Sequence, residues 1–120
     1  MPLPRFSLVA LDCPDPRALA EFYSRMTGWP IEDGEGDWVQ LDRRGGATIA
    51  FQKVANHVAP DWPGPEQPQQ LHLDFDVDDL DEGERLVLDL GARKAEYQPA
   101  DNWRVYLDPA GHPFCLVLAG

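Results

Sequence analysis

In the stretch "QLHLDFDVDD", His72 and Asp74 stand two residues apart within a strand-like alternation. That alternation turns Leu71, Leu73, Phe75 and Val77 to one face and His72, Asp74 and Asp76 to the other. An imidazole oriented by a carboxylate can work as a general base, and Arg104 could then steady an oxyanion or a substrate carboxylate. His72, Asp74 and Arg104 are therefore the candidate catalytic residues. A His and a carboxylate are also the beginnings of a divalent-metal site, which needs at least three protein ligands and an open position. Asp76, Asp78, Asp79 and Asp81 have a simpler role as caps and the solvated start of a helix, where the macrodipole favours carboxylates. Cys115 has no base beside it in the sequence and reads as a small packing residue rather than a nucleophile.

The elements that must position these groups fall into two similar series. The first opens with a strand at 5–11, "RFSLVAL", and continues through Asp15 as a cap with Pro16 at the first helical position. Leu19, Phe22, Tyr23 and Met26 recur at helical spacing, and Gly28 sits where a left-handed cap ends the helix. Strands at 38–42 and 47–54 follow, joined through "RRGG" as a hairpin. The second series repeats the order: the strand "LHLDFDV", caps at Asp78 or Asp79, and a helix closed by Gly91. A short strand at "RKAEY" comes next, then a hairpin in which "DPAG" joins "WRVYLD" to "PFCLVLA". Between the two series, Pro60, Pro63, Pro65 and Pro68 forbid helix and central strand alike.

This internal repeat predicts an α+β fold in one domain of 120 residues. Two βαβββ modules, at about 4–54 and 70–119 with a Pro-rich linker at 55–69, would form a curved mixed sheet around a central cleft. Neither module is large enough to bury a sheet face alone. Val9, Leu11, Val39, Ile49 and Phe51 would lie under the first helix, and Phe75, Val105, Leu107, Phe114 and Leu116 under the second. The opposite register would face the cleft. Its ligand-binding candidates are Trp38, Gln40 and Gln52 from the first module and Trp62 from the linker. The second module adds His72, Asp74, Trp103, Arg104, Tyr106 and Cys115. Aromatic groups mixed with a few polar ones are what a small-molecule pocket offers.

The helix "DPRALAEFYSRMTGW", the Pro-rich crossover, the strand "LHLDFDVDDL" and the hairpin "VYLDPAGHPFCLV" together resemble the vicinal oxygen chelate superfamily. That group includes glyoxalase I, bleomycin-resistance proteins, fosfomycin-resistance enzymes and extradiol dioxygenases. The resemblance covers nearly the whole chain and is greatest to the small glyoxalase-like members. It implies a divalent metal held by His and Glu from four strands, at positions that fall on Leu8, Ala50, His72 and Cys115. Leu and Ala cannot coordinate, so His72 is the only matching ligand position, and neither a metal nor another cofactor is expected. The resemblance also implies a homodimer.

Charge and cysteine usage narrow the partners. A net charge of −11 opposes nucleic acid and anionic membranes, both of which need a basic footprint. No apolar run approaches the roughly 18 residues of a membrane span, and the N-terminal stretch lacks a signal-peptide cleavage pattern. Two cysteines far apart, Cys13 and Cys115, suit reduced thiols in a cytoplasm. The expected function is that of a bleomycin-resistance-like module, which binds a cationic or neutral planar molecule in a metal-poor aromatic cleft. The alternative is an isomerase, epimerase or lyase that uses His72 as its base or in a divalent-metal site.

Overall fold

The computed structural model describes residues 3–32 and 36–119. Its contacts divide the chain into two compact units, Met1–His57 and Val58–Gly120.

The first unit holds β1 (Leu8–Cys13), α1 (Pro16–Thr27), β2 (Trp38–Gln40) and β3 (Thr48–Lys53). Asp15 accepts a hydrogen bond from the Ala18 amide, and Gly28 ends the helix at φ 81°. Both caps sit where residue type predicts them. The sheet runs β1-β3-β2, with β1 parallel and β2 antiparallel to the central β3. The strand expected at 5–11 lies further along, because pairing with β3 continues to Cys13↔Lys53. A third strand after the helix is reduced to the bridge Ile31↔Leu41. Leu11, Val39 and Phe51 share the face under α1, where Tyr23 stacks on Phe51 at 5.6 Å.

The second unit holds β4 (Leu73–Val77), α2 (Leu80–Leu90), β5 (Arg93–Lys94), β6 (Trp103–Leu107) and β7 (Pro113–Leu118). Its sheet runs β4-β7-β6-β5, again with the first and last strands parallel. Asp79 caps α2 by accepting from the Glu82 amide, and Gly91 closes it in the left-handed conformation. Phe75, Phe114, Leu116 and Tyr106 share the α2 face: Tyr106 stacks on Phe114 at 5.7 Å, and Phe75 meets it edge-on at 6.2 Å. Gly83 lets the helix come this close. A Cβ there would stand 3.0 Å from Leu116 Cδ1 and 3.2 Å from Val77 Cγ1. No described helix is long and apolar enough to cross a membrane.

One strand corrects the sequence reading. A two-residue hairpin loop at "DPAG" would set Arg104 opposite Cys115, and hence Arg104 and Tyr106 on its face. Instead the Gly111 amide donates to Asp108 O and the Asp108 amide to His112 O, with Gly111 at φ 91°. This is a type I turn followed by a left-handed glycine, a three-residue loop. The extra residue shifts the pairing to Arg104↔Leu116, Val105↔Cys115 and Tyr106↔Phe114. A slip of one residue reverses every side chain of a strand. Arg104 and Tyr106 therefore lie under α2, while Trp103 and Val105 join Cys115.

Candidate functional site

The face of the second sheet that turns away from α2 carries the groups with chemistry. Parallel pairing of β4 with β7 sets Asp74 directly across from Cys115. His72 precedes the first residue of β4 and lies on Asp74's side, with Nε2 3.4 Å from Asp74 Oδ1. One donor atom each from His72, Asp74 and Cys115 lies within 4.8 Å of the other two. The imidazole and carboxylate are well exposed, with side-chain accessibilities of 44% and 57%, whereas Cys115 is buried against Val105 and Ala95. Burial pushes the Cys115 thiol up to about 11, and the Asp74 charge and a hydrogen bond to it add to the shift. The thiol is therefore protonated at neutral pH and a poor nucleophile, because thiolate is the reactive form. Asp74 works against the activation that a protonated imidazole beside it would supply.

Beside this trio lies a cavity of about 130 Å³. Trp62 and Trp103 wall it, Val105 and Pro113 add apolar surface, and Gln69, His72 and Cys115 complete its lining. The Trp62 ring rests at 5.8 Å from that of Tyr97, so the Pro-rich segment contributes a packed wall. The floor is pinned by Gln98, whose amide donates to Ala95 O and Val105 O, each at 2.8 Å, while its oxygen accepts from the Val105 amide. Gln69 Oε1 is buried and has no hydrogen-bond partner among the described residues. A buried acceptor without a donor costs about 1–3 kcal/mol.

The structure thus gathers Trp62, His72, Asp74, Trp103 and Cys115 in the second unit. It does not gather Arg104 or Tyr106 with them. The Arg104 guanidinium donates to Asp81 Oδ1 at 2.9 Å and to Glu84 Oε1 at 3.2 Å, and Tyr106 donates to Glu84 Oε1 at 2.9 Å. The convergence that general-base catalysis by His72, Asp74 and Arg104 requires is absent, because the hairpin register sends Arg104 to the helix side. Trp38, Gln40 and Gln52 belong to the first unit. There Trp38 pairs with Gln52, its indole donates to Gln40 Oε1, and Gln40 donates to Glu32.

Gln69, Val105 and Pro113 were not foreseen as pocket residues. Val105 and Pro113 could have been found from Gly111, since a proline–alanine–glycine turn signals the three-residue loop that sets their register. For Gln69 there is no such signal: it lies in an irregular segment, where alternation assigns no face. The four positions implied for a chelated metal do not fit that group. Leu8 and Ala50 carry no donor atoms, so no chemistry is routed through that quartet.

The glyoxalase-like domain family matches residues 8–117. A glyoxalase/bleomycin resistance protein/dioxygenase family enzyme from Burkholderia phytofirmans PsJN superposes with a TM-score of 0.69 at 23% identity, covering 93% of this chain and 96% of that one. A glyoxalase-related enzyme from Fulvimarina pelagi gives a TM-score of 0.70 at 21% identity, over 98% and 89% of the two chains. A glyoxalase/bleomycin resistance protein from Albidiferax ferrireducens T118 gives 0.66 at 17%, over 96% and 98%. At these identities the likeness is one of fold. A comparison with curated protein sequences returned no match.

Proposed function

Because the chain belongs to the glyoxalase-like domain family, we propose that it binds a small planar molecule between the walls formed by Trp62 and Trp103. The observation that carries this reading is the cavity walled by Trp62 and Trp103. A dry cavity of roughly 150 Å³ accepts a guest the size of benzene, so about 130 Å³ suits a single ring. Indole faces attract cations, and with Asp74 beside His72 and a net charge of −11 they favour a neutral or cationic ring over an anionic one. Two thiols with no disulfide between them fit a reducing compartment such as the cytoplasm. Turnover by His72 is the weaker reading, since Arg104 is engaged at α2.

Calorimetric titration of the chain with single-ring heteroaromatics, in excess chelator, tests the proposal. Such rings should bind, and cationic ones more tightly than anionic ones. Trp103→Ala should cost about 1–2 kcal/mol, roughly a five- to thirtyfold loss of affinity. Equal binding of anionic rings, or wild-type affinity in Trp103→Ala, would remove the basis for the reading.

A further inference from the structure

We propose that His72, Asp74 and Cys115 form a three-ligand site for a thiophilic divalent ion of the zinc type, which displaces the Cys115 thiol proton to solvent as it binds. The argument is geometric and is independent of the planar-ligand reading. Imidazole nitrogen, carboxylate oxygen and thiol sulfur lie within 4.8 Å of one another. Tetrahedral zinc, with bonds of about 2.0–2.3 Å, holds its ligands roughly 3.3–3.8 Å apart. His72 Nε2 and Asp74 Oδ1 are already at 3.4 Å. The remaining closure is at most about 1 Å, within reach of side-chain rotation. The two side chains that must move are the exposed ones, His72 and Asp74, while Cys115 is fixed in the core.

This donor set shares His72 and Cys115 with the four implied positions and differs in drawing its third donor from Asp74 rather than from the first unit. Its three ligands come from β4, the residue just before it, and β7, all in the second unit. Leu8 and Ala50 have no part in it. Asp74 supplies the third donor, and its pairing with Cys115 across parallel strands brings a carboxylate and a sulfur together. One nitrogen, one oxygen and one sulfur select zinc, cobalt(II) or cadmium over magnesium or calcium, which prefer oxygen alone. Three protein ligands leave a fourth position open. His72 and Cys115 both line the cavity, so that position is available to water or to a donor atom of a small ligand.

Cobalt(II) titration of the reduced, tag-free full chain provides the test. A sulfur-to-cobalt charge-transfer absorption should saturate at one equivalent, vanish in Cys115→Ser and persist in Cys13→Ala. Asp74→Asn and His72→Ala should each weaken binding by about tenfold or more, since loss of an outer-shell partner alone costs that much. The Asp74 variant lies at an exposed strand position and keeps the test independent of core packing. Magnesium should not compete. No charge-transfer band at millimolar cobalt, a band that survives Cys115→Ser, or wild-type affinity in both the Asp74 and His72 variants would overturn the proposal. Ring binding in excess chelator is a separate measurement, so either reading can fail alone.

Discussion

Phe114→Ala is expected to lower the unfolding free energy by about 3–5 kcal/mol, the usual cost of emptying a buried aromatic site. Phe114 is 0% exposed. Its ring stacks on Tyr106 at 5.7 Å and 27° and meets Phe75 edge-on at 6.2 Å and 81°, so its removal strands two aromatic partners. Neither can collapse into the gap freely. Tyr106 is held by its hydroxyl on Glu84, and Phe75 is fixed by the pairing of β4 with β7. The loss falls on β7, which is bonded to β4 on one side and β6 on the other. Urea unfolding should show a lower midpoint at an unchanged slope. Phe114→Leu should recover more than half of the loss, because it restores apolar volume without the ring contacts. A loss below about 1.5 kcal/mol in Phe114→Ala would mean that the aromatic layer is not the core it is taken for.

The same layer shows how far sequence alone reaches. Both helices, their aspartate caps and their closing glycines follow from residue type, since each satisfies a local backbone demand. The faces of β1, β3, β4 and β7 follow from alternation, because these strands have one apolar and one mixed side. β6 is different. "WRVYL" alternates Trp, Val and Leu against Arg and Tyr, and an arginine or a tyrosine can end on either side when its polar tip finds a partner. Periodicity assigns Val105 and Leu107 to the helix side, whereas Glu84, one turn into α2, recruits Arg104 and Tyr106 instead. The deciding information lay in the turn, at Gly111. The candidate site was legible to the same degree. His72, Asp74 and Cys115 were placed on one face from alternation. Their convergence within 4.8 Å depends on β4 pairing with β7 in parallel, a long-range contact that no local pattern encodes.

Glu84, the residue that recruits β6, also dominates the expected response to acid. Its carboxylate accepts from Lys94 Nζ at 2.9 Å, Arg104 at 3.2 Å and the Tyr106 hydroxyl at 2.9 Å, with only 24% of its side chain exposed. Burial acts to raise its pKa, yet hydrogen bonds from Lys94 and Tyr106, with the charges of Lys94 and Arg104, outweigh burial and hold it below 4.5. A carboxyl depressed on folding binds its proton more readily in the unfolded chain. Its contribution is therefore complete above the ordinary carboxylate range and is lost as pH falls through the folded value. Glu84→Gln keeps the shape and an acceptor for Tyr106, but leaves Lys94 and Arg104 with a neutral partner. It should cost about 2 kcal/mol at neutral pH, the scale of hydrogen bonds to a charged group. Burial first, and the Glu84 hydrogen bond second, push the Tyr106 phenol well above its ordinary range, so it remains a donor throughout. Other carboxylates titrate in the same acid window, which makes the informative quantity the difference between wild type and Glu84→Gln. That difference should be flat above about pH 5 and should shrink steadily below it. A gap that stays constant into the acid range would assign the cost of the substitution to packing, and with it would go the idea that charge pairing under α2 holds the polar side of β6 against the helix.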